Sequence, residues 1–369
     1  MPNLFKKILF TCLMLGGIFL TLYGLGETLV YLIHGKEMAL FPRYVTQRQY
    51  NDYLIRGNVA GARYRHKSPD GRWEFQINRR GFRGGVDYSY EKPPGVLRVL
   101  VLGDSFTVGY EVDQDETYAV VLERELKKRG IAAEVINAGV SGFSNAEELV
   151  FLEQEGVRYQ PDVVVLGFYF NDLEDNIRTG LFKLLDGELI VNSKQYAPVT
   201  NVRDFLNSFA PYRWLSENSY LHNYLNAAAT VWVKKWLEQK RREEIAGQTL
   251  GAAADDYPER LACLLVQRIR RTASQNNAFF ILLEIPKVSH RQVFPSWPAQ
   301  TCAPESVSDL YVDGLRLLKE EAAGGEWYRP RGHRHWTPVS HAAVGKYLAS
   351  RIAERQGRHP ASFAQKPQR

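Results

Sequence analysis

A hydroxyl set beside an acid at the end of an apolar run is a chemical signal. In this 369-residue chain Gly103-Asp104-Ser105 closes the run RVLVLG (98–103) in that way. Two more apolar runs end in groups of the kind acyl transfer needs: Asn137 to Gly142 after AAEVI, and Phe170-Asn171-Asp172 after PDVVVLGF (161–168). Ser105 would attack an acyl carbon, while the Gly142 main-chain N–H and the Asn171 amide would donate to the developing oxyanion. The base must be a histidine from elsewhere, and HRHWTPVSH (333–341) supplies His335. Each residue also has a plainer use: Asp104 can cap a turn, Gly142 can allow a positive φ, and Asn171 can close an Asx turn. His341 reads as a surface or capping residue in the first turn of the last helix. His333, His335 and His341 have a spacing a metal could use, but no fourth carboxylate or thiolate is fixed by spacing. No metal is expected. With neither a phosphate-cradling G-x-x-x-x-G-K nor a dinucleotide glycine fingerprint, no cofactor is expected either.

The elements that must position these residues alternate. Strand 98–103, helix 115–130, strand 132–139, helix 145–155 opened by a Ser144/Glu147 capping box, and strand 161–168 argue for right-handed βαβ crossovers. The fold class is α/β: a three-layer α/β/α sandwich with a parallel, flavodoxin-like sheet, whose reactive groups gather beyond the carboxyl ends of the strands. Residues 172–260 break the alternation and read as an insertion capping that edge. Its charge run KKWLEQKRREEI (234–245) reads as a solvated helix end. Helix 256–272, strand 279–286, helix 306–320 and a last helix from Thr337-Pro338 to about 355 resume the pattern.

After Lys6 and Lys7, residues 8–33 are apolar apart from Glu27 and a few threonines. That is longer than the ~20 residues a bilayer core needs. No small-residue cleavage site follows, so an uncleaved transmembrane anchor is expected rather than a signal peptide. Lys36, Arg43 and Arg48 balance Lys6 and Lys7, and the preference for an inside amino terminus rests on the leader's position. Glu27, near the distal end, is expected to reach interfacial water or a partner helix. The predicted organisation is an anchor (1–34), a stalk and lead-in segment (35–95), the α/β domain (96–355) with its insertion, and a disordered tail (356–369). Cys12 lies in the anchor, and spacing leaves open whether Cys263 and Cys302 pair. The formal charge of +6 is scattered, with no arginine stripe. It argues against nucleic acid and suits anionic lipid or an acidic polymer.

In order, Gly103-Asp104-Ser105, Gly142, Asn171 and His335 resemble the four motif blocks of the SGNH, or GDSL-type, hydrolase superfamily, over roughly residues 96–355. INRRGFRG (77–84) resembles the lead-in of membrane-anchored bacterial members. The resemblance implies Ser105 as nucleophile, His335 as general base, an oxyanion hole from the Ser105 and Gly142 N–H groups and the Asn171 side chain, and Asp104 in support. With the apolar leader, it implies a serine esterase anchored by a single pass in the bacterial inner membrane, with its catalytic domain periplasmic or otherwise extracytoplasmic. The expected partner is an acylated small molecule or polysaccharide, such as an O-acetyl ester of a cell-envelope glycan. One departure stands out: the family usually places an aspartate two residues before the histidine, where this chain has His333. A main-chain carbonyl, His333 itself, or a carboxylate such as Asp309, Asp313 or Glu326 is open as the group that orients His335. Two alternatives follow: an O-acyltransferase using the same serine, and a catalytically silent glycan-binding or assembly protein.

Overall fold

A computed structural model describes residues 2–42, 45–196, 200–246, 256–289 and 292–358. The tail expected to be disordered lies outside the described residues from 359 onward. Helix α1 (Pro2–His34) opens the chain, and its stretch Leu4–His34 is long and apolar enough to cross a membrane. The segment read as stalk and lead-in is folded into two antiparallel hairpins, β1 (Val45–Tyr50) with β2 (Tyr53–Asn58) and β3 (Arg63–Ser68) with β4 (Gly71–Gln76). Val45, Tyr53 and Ile55 of the first hairpin join the core of the body, while Tyr64, Trp73 and Phe75 of the second pack with Val108 and Tyr110.

The expected alternation runs through β5 (Leu97–Gly103), α2 (Ser105–Val108), α3 (Tyr118–Lys128), β6 (Ala133–Asn137), α4 (Asn145–Gln154), β7 (Val163–Phe168) and α5 (Asp172–Thr179). A hairpin, β8 (Phe182–Leu185) with β9 (Glu188–Val191), and helices α6 (Thr200–Asn207), α7 (Ala210–Asn218) and α8 (Tyr220–Ala246) follow. The chain then returns through α9 (Tyr257–Gln275) and β10 (Phe279–Glu284). The hairpin β11 (Lys287–Ser289) with β12 (Gln292–Phe294), α10 (Pro304–Val307), β13 (Leu310–Val312), α11 (Gly314–Glu321) and α12 (Pro338–Arg358) complete it.

The central sheet has the order β13-β10-β7-β5-β6, with every pairing parallel. Chain order reverses between β5 and β7, and the crevice beyond their carboxyl ends is the topological switch point. Leu100 and Leu102 of β5 pack in one core with Leu149 of α4 and Leu265 of α9; Val99 and Val101 pack in the other with Leu122 of α3 and Leu348 of α12. Burial on both faces is why the strand reads as an unbroken apolar run rather than an alternation. This is the three-layer α/β/α sandwich the sequence predicts.

Three details differ or resolve. Helix 306–320 starts only at Gly314, because Leu310–Val312 pair with Ile281–Leu283 as a fifth strand and Asp313 accepts the Arg316 N–H at 2.9 Å as the helix cap. Three residues are too few to show strand periodicity. Helix 115–130 likewise starts at Tyr118, with Thr117 as its cap. Cys263 and Cys302 are disulfide-bonded, tying α9 to the loop before α10.

Candidate active site

The turn that presents Ser105 is built by its neighbours. Gly103 sits so close to Thr107 that a Cβ would lie 2.0 Å from the Thr107 hydroxyl oxygen. Asp104 takes the plainer role: its buried carboxylate accepts the Phe106 N–H at 2.9 Å and caps α2, leaving Ser105 as the first helical residue. Ser105 Oγ lies 2.7 Å from His335 Nε2, across 230 residues of sequence. The imidazole is packed against Phe106, with ring centroids 4.7 Å apart. Its loop is held by the Arg329 N–H on the His335 carbonyl at 2.8 Å and by the fully buried Trp336.

Beside the other ring nitrogen lies a carboxylate that the sequence reading did not name. Glu111 is fully buried, with Oε2 3.8 Å from His335 Nδ1. Its two oxygens accept the main-chain N–H groups of His333 and His335, each at 3.1 Å, and Arg329 donates to its carbonyl at 3.0 and 3.2 Å. Gly332 is obligatory here, because a Cβ would lie 2.2 Å from Glu111 Oε1. Burial works to raise the Glu111 pKa, yet the His335 ring and the His333 N–H outweigh it and hold the group at about 2. Glu111 is therefore an anion at neutral pH. The 3.8 Å separation is too long for a hydrogen bond but short enough to stabilise an imidazolium.

The other candidates for that place are elsewhere. Asp309 pairs with Arg270 and accepts the Phe280 N–H, Asp313 caps α11, and Glu326 offers its carbonyl to Thr337. His333 gives its N–H to Glu111, and its ring packs edge-on against Phe41 at 4.4 Å and against the His335 ring at 5.8 Å. His341 is buried rather than at the surface. Its Nδ1 accepts the Tyr118 N–H at 3.2 Å, and burial lowers its pKa to about 3, so it is a neutral tie between α12 and α3.

On the opposite side of Ser105, the loop after β6 is tied to the serine turn by the Val140 N–H on the Gly103 carbonyl (3.0 Å) and by the Asn137 amide on the Thr107 carbonyl (2.8 Å). Gly142 has φ +74°, which favours glycine. Arg56 of β2, itself paired with the buried Glu147, donates to the Gly142 carbonyl at 2.5 Å, and Asn58 donates to the Gly139 carbonyl at 3.0 Å. These two supports lie in the lead-in hairpin, where no local spacing marks them. Among the described residues, neither the Ser105 nor the Gly142 N–H is spent on another protein group. The Asn171 amide donates to Asp175 at 3.2 Å and also hydrogen-bonds the Asp104 carboxylate. Ser105, Gly142, Asn171 and His335 line one cavity of about 350 Å³, walled on the far side by Thr230, Val233, Lys234 and Leu237 of α8.

A hydroxyl, an imidazole and a carboxylate in sequence, at the switch point of a parallel sheet and facing unspent N–H donors, make the arrangement of an ester-cleaving serine enzyme. Residues 101–299, more than half of the chain, match the GDSL-like lipase/acylhydrolase family, and the chain belongs to it. An arylesterase of Vibrio mimicus is 32% identical over 75 residues, 20% of this chain and 38% of that protein. The chain thus matches well under half the length of that relative. Among solved structures, the acetylxylan esterase Axe2 of Geobacillus stearothermophilus is similar at 15% identity over 69% of this chain and 94% of that one, with a TM-score of 0.36. A two-domain esterase active on acetylated mannans is similar at 13% identity over 70% and 50%, with a TM-score of 0.37.

Proposed function

We propose that the chain is a membrane-anchored serine esterase that hydrolyses a short acyl ester, an O-acetyl group on a cell-envelope glycan, through an acyl-serine. The observation that carries this reading is the 2.7 Å contact between Ser105 Oγ and His335 Nε2 at the wall of the cavity. His335 takes the Ser105 proton as Oγ bonds to the acyl carbon. The Ser105 and Gly142 N–H groups and the Asn171 amide receive the oxyanion, and Glu111 balances the imidazolium. Collapse breaks the bond to the leaving oxygen, which takes the proton from His335. Water then gives a proton to His335, attacks the acyl carbon and frees Ser105, which recovers its proton.

About 350 Å³ is small for a ligand cavity and suits an acetyl group with a sugar ring rather than a long acyl chain. The Cys263–Cys302 bond supports placing the domain in an oxidising compartment beyond the bilayer. Glu111 weighs against a silent protein, since it supplies the anion that His333 does not.

The test uses the full chain in detergent. A fluorophosphonate is expected to form one adduct, at Ser105, and acetate release from O-acetylated glycan is expected to vanish in Ser105→Ala. Failure to label, or equal release by the variant, removes the reading.

A further inference from the structure

Glu27 does not face a free interface; it caps the first turn of α8. Its carboxylate accepts the Ser219 hydroxyl (2.7 Å), the Tyr220 N–H (2.7 Å) and the Leu221 N–H (2.9 Å). An uncapped helix start leaves such N–H groups without partners, and the dipole there favours an anion. Tyr31 packs edge-on against Tyr220 with centroids 5.1 Å apart, and His34 stacks on Tyr224 at 5.0 Å. Helix α8 therefore starts against the distal end of the apolar span.

Around that junction the cap turns large apolar side chains outward. Phe205 and Phe209 are exposed beside α7, which exposes Trp214, and α8 continues with Leu225, Trp232 and Trp236. The three tryptophans are 63%, 69% and 52% exposed, whereas α1 contains no tryptophan at all. The inward face of the same helix carries Thr230, Val233, Lys234 and Leu237 to the cavity. A helix that is apolar on its outer face needs a covering, and Leu25, Leu29 and Leu32 near the junction on α1 are exposed as well. Lys235 stands between Trp232 and Trp236, giving the pairing of aromatic and cationic residues that favours a headgroup layer, while Lys240 and Arg242 further along α8 pair with Glu244 and with Glu174 and Glu238.

We propose that α6 to α8 rest their outward aromatic face in the headgroup region of the bilayer crossed by α1, so that the cavity behind α8 receives its ester at the membrane surface. The proposal rests on reading α1 as a membrane span and the Ser105 cavity as an esterase site. It narrows the substrate to an ester held at or in the membrane, such as an acylated glycan carried on a lipid.

The full chain is reconstituted into phosphatidylcholine vesicles with or without bromine on the acyl chains near the headgroup. Bromine quenches tryptophan only at contact range, so α1 is silent. The wild type is expected to lose about a third or more of its fluorescence in brominated vesicles, and Trp214→Phe/Trp232→Phe/Trp236→Phe to lose almost none of its residual emission. Flotation of both with the vesicles, together with an unchanged rate on a soluble acetyl ester, separates this outcome from failure of the anchor or of the esterase reading. A wild type that floats without quenching, or a variant quenched as strongly as wild type, overturns the proposal. Crosslinking between two copies through Trp232 and Trp236 in unquenched vesicles would assign the face to a second copy and overturn it as well.

Discussion

Glu111 reaches the histidine from the loop that follows Ser105, so the Ser105 hydroxyl and the Glu111 carboxylate arrive on one stretch of chain and hold an imidazole from the other end. The clamp is made of main chain as much as side chain: the carboxylate fixes the N–H groups of His333 and His335, which sets where the ring can stand. In Glu111→Gln one oxygen becomes an NH₂ that faces an N–H donor, and the balancing charge is lost. We expect kcat on a soluble ester to fall by up to about 10⁴-fold with little change in KM, the size of loss seen when a triad acid becomes an amide. A fall below tenfold would leave Glu111 a merely structural role. Linkage adds a second readout. The folded pKa of about 2 lies below the ~4.3 of an unfolded glutamate, so Glu111 contributes stability above about pH 4.5 that is lost as pH falls towards 2. Urea denaturation of Glu111→Gln should show a flatter loss of stability across that acid window.

Between α4 and α5, beneath Asn171, lies a buried group of acids that the reaction does not use. Asn145 donates to Glu148 (3.0 Å) and to Asp172 (3.2 Å), and the Asn176 amide donates back to Asn145 (3.2 Å). Burial pushes the Glu148 carboxyl up to about 8, with Asp104 and Glu147 adding repulsion, and Asp172 is raised by burial and by Glu148 and Asp104. Glu148 is therefore neutral in the folded protein at pH 7. Its folded value lies above its unfolded one, so between about pH 4.5 and pH 8 the unfolded chain gives up the proton first and stability falls as pH rises. In Glu148→Gln, which keeps an oxygen for Asn145, the stability advantage over wild type should grow from pH 5 to pH 8. Parallel stability profiles would refute this account of the α4–α5 contact.

For the molecule as a whole, the cap, the sheet and the disulfide form one construction. The Cys263–Cys302 bond spans a sequence separation of 39. By loop-entropy reasoning, closing a loop of that size contributes up to about 4 kcal/mol. Cys263→Ser/Cys302→Ser should lower the urea midpoint accordingly while leaving the Ser105–His335 geometry, and hence kcat of the folded fraction, near wild type. A variant as stable as wild type would mean that packing alone holds α9 in place.

Ser105, Gly142, Asn171 and His335 were legible as candidates because each sits at a strand end or helix start that local composition marks. The runs 98–103, 161–168 and 279–286 were legible as strands because burial on both faces leaves mostly apolar residues, with Arg98, Asp162 and Glu284 near their ends. β13 was not, at three residues. Glu111, Arg56 and Asn58 carry no such mark: an acid in a loop and two polar residues on a hairpin become parts of a site only when distant segments close on them. Sequence alone determined the alternation of strand and helix, the apolar leader and the order of the reactive blocks, since these depend on residue type and local period. Tertiary structure decided which anion stands behind His335, that Cys263 meets Cys302, and that Glu27 caps the helix walling the cavity. Those facts are distances between residues far apart in the chain, and distance is set by packing.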